Sequence, residues 1–154
     1  MNLIEKALQN ENETKSLIAI GEILWRKTEL GDNYENLTEA EKTFIFVEML
    51  EAEINNGGFD QYFFNSSGNY ALETLESLER IKAHKTAKIV AQAFEIFPVQ
   101  PIPKDNEKRR TILENIDQNI SNKWNLLEDD FYANDENISK LLLDYVKNNK
   151  EDFK

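Results

Sequence analysis

The chain has 154 residues and 40% hydrophobic side chains, enough apolar material for one domain with a real core rather than a disordered polyelectrolyte. Against 18 Lys and Arg stand 29 Asp and Glu, a formal net charge of −11 that disfavours direct contact with nucleic acid or anionic membrane and favours a basic partner. There is no Cys for disulfides or thiolate metal sites. No apolar run approaches the ~20 residues of a membrane span, and Met1-Asn2-Leu3-Ile4-Glu5-Lys6 lacks a secretory pattern, so a cytoplasmic setting is expected.

Leu3 to Leu8 predicts a short helix, ended by the polar run Asn10-Glu11-Asn12-Glu13. A second helix is expected from about Lys15 to Leu30. Its apolar positions Leu17, Ile18, Ile20, Gly21, Leu24 and Trp25 follow three-and-four spacing, and Gly31 stands where a left-handed cap belongs. Tyr34 to Leu37 is a connector. Thr38-Glu39-Ala40-Glu41 then reads as a capping box, with Leu37 at the staple position. The helix it opens runs to about Asn55 and is apolar almost all round, through Phe44, Ile45, Phe46, Val47, Met49, Leu50 and Ile54. Such a helix is predicted to be the buried centre of a bundle.

Gly57-Gly58 interrupts it, and Phe59 to Phe64 predicts a short helix that places four aromatics in the core. Asn69 is expected to cap a helix from Tyr70 to about Ile81 that buries Ala71, Leu72, Leu75 and Leu78. His84 to Phe97 forms the next, with Ala87, Val90, Ala91, Phe94 and Phe97 on one side. The three prolines make residues 98–103 an extended crossing within the domain. Asp105 caps a helix to about Asn119, Ser121 opens one through Trp124, Leu127 and Phe131, and the last uses Ile138, Leu141, Leu142 and Tyr145. No alternating strand pattern competes. The expectation is one all-α domain over residues 1–154, a bundle of about eight helices around a buried central helix at about 39–55.

Chemistry is sparse. Glu51 falls in the apolar stripe of the central helix, and Arg109 falls among Ile112, Leu113 and Ile116 on its own. A Glu51–Arg109 ion pair linking the two helices would answer both misfits. The single His84 has no nucleophile and acid around it, so it reads as a surface or capping residue. Gly57-Gly58 follows a helix rather than a strand, which removes the phosphate-loop context. No catalytic residue, metal or cofactor is therefore expected, and an enzyme is not. Asn55, Asn56, Gln61 and Asn65 read as caps for helix ends, the alternative being a small-ligand or enzymatic site around Glu51, Asn56, Gln61 and Asn65. Acids gather elsewhere. Glu73, Glu76 and Glu79 recur every third residue on one helix, and Glu128-Asp129-Asp130 is followed by Asp135-Glu136. Charges repeated at such spacing resemble a phosphate backbone in density; the plainer readings are a solvated face and an assembly protein with no mimicry.

The stretch Glu51-Ala52-Glu53-Ile54-Asn55-Asn56-Gly57-Gly58-Phe59-Asp60-Gln61-Tyr62-Phe63-Phe64-Asn65 resembles the DNA-mimic protein domain family, many members of which have no assigned function. The likeness extends through Leu37-Thr38-Glu39-Ala40-Glu41 and Ser66-Ser67-Gly68-Asn69-Tyr70, and returns weakly at Glu128-Asp129-Asp130-Phe131-Tyr132. The resemblance implies an acidic, all-helical, dimeric protein that occupies the DNA-binding surface of a transcription regulator, and the expected partner is a basic protein such as a helix-turn-helix regulator. Its motif, Glu51 with Asn55, Asn56, Gly57, Gly58, Phe59, Gln61 and Asn65, is a fold signature rather than an acidic one. Any mimicry is then expected to rest on Glu73, Glu76, Glu79, Glu128, Asp129, Asp130, Asp135 and Glu136.

Overall fold

The computed structural model describes residues 1–154 as eight α-helices and three 3-10 turns with no strand. The all-α expectation holds. Helix α1 (Leu3–Leu8) opens on a capping box in which the Asn2 side chain accepts from Glu5 N and Glu5 reaches back to Asn2 N. Helix α2 (Glu13–Lys27) starts on Asn12, whose side chain accepts from Lys15 N.

The end of α2 differs from expectation. It stops at Lys27, and Glu29 and Leu30 already have φ of 57° and 61° before Gly31 at 97°. Thr28 stabilises this turn: it is fully buried, its Oγ1 donates to Trp25 O at 2.6 Å and accepts from Gly31 N at 2.9 Å. Ile20 and Leu24 reach the core, while Ile18 and Trp25 are 56% and 40% exposed, so the apolar face of α2 is narrower than its sequence suggests.

Helix α3 (Glu39–Phe64) is the centre of the bundle and packs against five other helices. Its capping box forms as predicted: Thr38 Oγ1 accepts from Glu41 N, and Glu41 Oε1 accepts from Thr38 N at 3.0 Å. Glu41 is fully buried, and both its carboxylate oxygens lie 2.7 Å from Lys27 Nζ, which ties α2 to the start of α3. Phe44, Val47, Leu50 and Ile54 have no exposed surface and form the axis of one contiguous core. The C-terminal residues close it, with Phe153 buried edge-on to Phe44 and Thr38 Oγ1 donating to Asp152 O.

A 3-10 turn (Ser66–Tyr70) leads into α4 (Ala71–Arg80). Asn69 does not cap α4 as expected; its Oδ1 accepts from Arg109 instead. Leu72, expected inside, is 62% exposed. Helix α5 (His84–Glu95) ends where Gln100 Nε2 donates to Phe94 O and Phe97 O. The irregular proline crossing follows, leading to α6 (Asn106–Glu114). Helix α7 (Gln118–Ala133) begins earlier than Ser121, on Asp117, whose side chain accepts from Asn119 N at 2.7 Å. Helix α8 (Ile138–Asn148) completes the bundle. No helix is long and apolar enough to cross a membrane.

Candidate functional site

The Gly57-Gly58 pair breaks α3 in two. Gly58 has φ 78° and ψ −167°, a conformation essentially restricted to glycine. The break frees backbone groups on both sides, and α7 satisfies them. Phe59 N donates to Glu128 Oε2 at 3.2 Å, so a carboxylate caps the start of the second half. Tyr132 Oη donates to Ile54 O at 2.6 Å, which closes the end of the first. Glu128 and Tyr132 are one turn apart on α7, on the same face. The Glu128 carboxylate also occupies the space a Cβ on Gly58 would need, and the Gln61 side chain folds over Gly57 in the same way.

This corrects the reading of the motif amides as caps. Asn55 and Asn56 are exposed, and neither they nor Gln61 makes a side-chain hydrogen bond; Asn65 Nδ2 donates to Glu53 at 2.8 Å. A helix break in mid-bundle is closed from a neighbouring helix because that helix presents groups to both ends at once. Nothing local in the sequence assigns Glu128 and Tyr132 to the break. Nor do Glu51, Asn56, Gln61 and Asn65 converge: none of them lines a main surface hollow. Phe59, Tyr62 and Phe63 enter the core, where Phe63 meets Phe94, Phe97 and Trp124. The fourth aromatic, Phe64, stays 46% exposed under the Arg110 guanidinium, 4.4 Å from its ring centroid.

The proposed Glu51–Arg109 pair does not form. Arg109 is fully buried and bonds only to neutral acceptors. Nε donates to Phe63 O, one terminal nitrogen to Pro103 O and Lys104 O, the other to Asn65 O, Asn69 Oδ1 and Asn106 Oδ1, all within 3.1 Å. Arg110 Nε donates to Phe64 O at 2.9 Å. The two arginines thus satisfy the orphan carbonyls at the C-terminal end of α3, where the helix dipole favours a cation. Gly68 makes room, since a Cβ there would lie 2.7 Å from Arg109 Nε. A carboxylate partner is unnecessary.

Glu51 has a different neighbour. Glu48 and Glu51 sit one turn apart, half-buried, with no hydrogen bond to either carboxylate. The Glu48 carboxylate lies against the α2 backbone at Gly21, 2.6 Å from where a Cβ would be. Burial, and then the nearby Glu51, push Glu48 up to about 8; burial pushes Glu51 up to about 7.

The eight surface acids divide by environment. Glu76, Glu79, Asp129, Asp130 and Asp135 are exposed, and Asp129 and Asp130 have no ionic partner. Glu79 meets His84 Nδ1 at 2.6 Å and Asp135 meets Lys85 Nζ at 2.9 Å, which holds the Asp135 carboxyl below the usual range. Glu73, Glu128 and Glu136 are half-buried and committed. Glu73 pairs with Lys104 Nζ at 2.7 Å. Glu136 accepts from Lys85 N at 3.2 Å and Thr86 N at 2.9 Å, capping α5, which has no cap of its own.

The distribution of charge along the chain matters more than those eight. Between Lys42 and Arg80 the sequence has Glu48, Glu51, Glu53, Asp60, Glu73, Glu76 and Glu79 and no Lys or Arg. Between Lys123 and Lys140 it has Glu128, Asp129, Asp130, Asp135 and Glu136, again without a base. The clip across the α3 break joins these two stretches, and Asp60 and Asp129 lie close enough to Glu128 to raise its pKa further beyond the effect of burial.

The model of the family described as DMP19-like protein matches residues 35–149, well over half of the chain. The chain belongs to the DMP19-like protein family. No curated protein and no solved structure matches it. The part that is DMP19-like contains α3 with its break, the Arg109 hub and the α7 clip; α1 and α2 lie outside it. This agrees with the family resemblance read from the sequence. The DMP19-like family is not a known enzyme family.

Proposed function

We propose that this DMP19-like chain is an acidic protein-binding domain that occupies the DNA-binding surface of a basic regulator, a helix-turn-helix protein fitting best, by presenting negative charge as duplex DNA does. The observation that carries the reading is the joining of the two base-free acidic stretches at the α3 break. Asp60, Asp129 and Asp130 stand exposed there on rigid helices, fixed relative to one another by Glu128 and Tyr132. Glu76 and Glu79 on α4 are further exposed acids of the first of these stretches. Fixed anionic charges at helix spacing attract cationic surfaces over roughly a Debye length, about 10 Å at moderate salt.

The physics makes association fast and salt-sensitive, with individual acids contributing little and the set contributing much. The test is competition. Purified domain, added to fluorescent operator duplexes bound by a panel of helix-turn-helix regulators, displaces at least one from DNA at low salt, and the effect fades as salt rises. Joint charge neutralisation of Asp60, Asp129 and Asp130 abolishes displacement while the helical circular dichroism stays unchanged. If no basic DNA-binding protein is retained or displaced at low salt, the proposal falls.

A further inference from the structure

Two hollows flank α4, and Lys104 lines both. One is polar, with Tyr34 and Tyr70 beside Glu35, Glu39, Glu73 and Glu76, but Lys42, Lys104 and Arg80 already meet those carboxylates. The other lies between α4, α5 and the proline crossing and is apolar. Leu72, Leu75, Ala91, Phe94, Pro101 and Ile102 line about 290 Å³ of it. Leu72 forms an uncovered lip, 62% exposed. Glu95 also lines the hollow; it is exposed and in no ion pair or hydrogen bond. Lys104 is held by Glu73 at 2.7 Å, so its charge is matched.

We propose that this hollow receives one large apolar side chain of a basic partner, from a position next to a Lys or Arg that meets Glu95. The inference rests on the protein-binding reading above and supplies what that reading lacks. Negative charge alone draws in any basic protein, whereas a desolvated apolar anchor selects among them. The volume favours a single side chain: it falls at the foot of the roughly 300–1,000 Å³ of small-molecule sites. The free carboxylate favours a cation beside that side chain, and the net charge of −11 favours a cationic protein around it.

The experiment uses three capped peptides, acetyl-Lys-Phe-Lys-amide, acetyl-Lys-Ala-Lys-amide and acetyl-Glu-Phe-Glu-amide, titrated at low salt into isotope-labelled protein and followed by amide and methyl NMR. The Lys-Phe-Lys peptide shifts Leu72, Leu75, Ala91 and Ile102 saturably and binds about tenfold more tightly than the Lys-Ala-Lys peptide, as one buried anchor provides. Ala91→Phe fills the hollow and removes that advantage; Leu72→Ser, at an exposed position, reduces it without endangering the fold. Equal shifts from both lysine peptides, centred on the acids with a silent hollow, overturn the anchor and leave the acidic reading standing. Binding of the Glu-Phe-Glu peptide as tight as that of Lys-Phe-Lys overturns the role of Glu95. If neither lysine peptide shifts any residue, the anchor falls, and the acidic reading stands or falls by the displacement assay.

Discussion

Glu48→Gln should stabilise the protein, and should do so more as pH rises. In the unfolded chain Glu48 titrates at its ordinary 4.5, and in the folded protein at about 8. The folded value is the higher one, so the contribution is fully present below 4.5, where both states hold the proton, and is lost as pH rises through 8. Linkage gives about 1.4 kcal/mol per pH unit inside that window. From about pH 5.5, safely above the pI where an acidic protein risks precipitation, to pH 8 the wild type therefore loses roughly 3 kcal/mol that the glutamine variant keeps. Burial also raises Glu51, to about 7, so Glu51→Gln gives a smaller gain that accrues between pH 4.5 and 7 and is kept above it. Urea unfolding followed by circular dichroism at pH 5.5, 7 and 9 measures all of this. Total stability of a domain this size is about 5–15 kcal/mol, so the effect is readily seen. A Glu48→Gln variant that changes stability equally at every pH, or gains most at the acidic end, would show that the carboxylate is well solvated and the reasoning wrong.

Gly58→Ala forces a side chain into a glycine-only conformation and against the Glu128 carboxylate, and is expected to cost about 2 kcal/mol or more in the same urea assay. A loss within 0.5 kcal/mol of zero, roughly the scatter of neutral surface substitutions, would contradict the geometry. Glu128→Ala and Tyr132→Phe each remove one side of the clip and should cost about 1 kcal/mol, while the double variant loses less than their sum because either change loosens the seating of α7. Strict additivity in that cycle would mean that the two bonds act separately. Arg109→Met leaves several buried carbonyls without donors and is expected to cost at least about 3 kcal/mol, each unsatisfied group being worth about 1–3. Glu51→Gln, by contrast, should be neutral or stabilising at pH 8; an equal loss in both variants would revive an ion pair between them.

The one-dimensional pattern determined what depends on near neighbours. The Thr38–Glu41 capping box, the buried stripe of Phe44, Val47, Leu50 and Ile54, and the stop at Gly57-Gly58 are all set by residues within a turn or two of each other. So is the all-α class, since a 3.6-residue period needs only a short window to declare itself. Composition fixed the sign of the protein's field. What only the tertiary structure decided is who satisfies the groups that local structure leaves open. Arg109 was recognisable as a buried charge, but its partners are carbonyls at the end of another helix rather than Glu51. Glu128 and Glu136 looked like surface charge and instead cap Phe59 and the start of α5. The amides beside the break looked like its caps, yet Glu128 and Tyr132, 69 and 78 residues from the groups they bond, hold it closed. Backbone groups freed by a helix end are bonded by whichever element packs across them, and packing is a property of the whole chain.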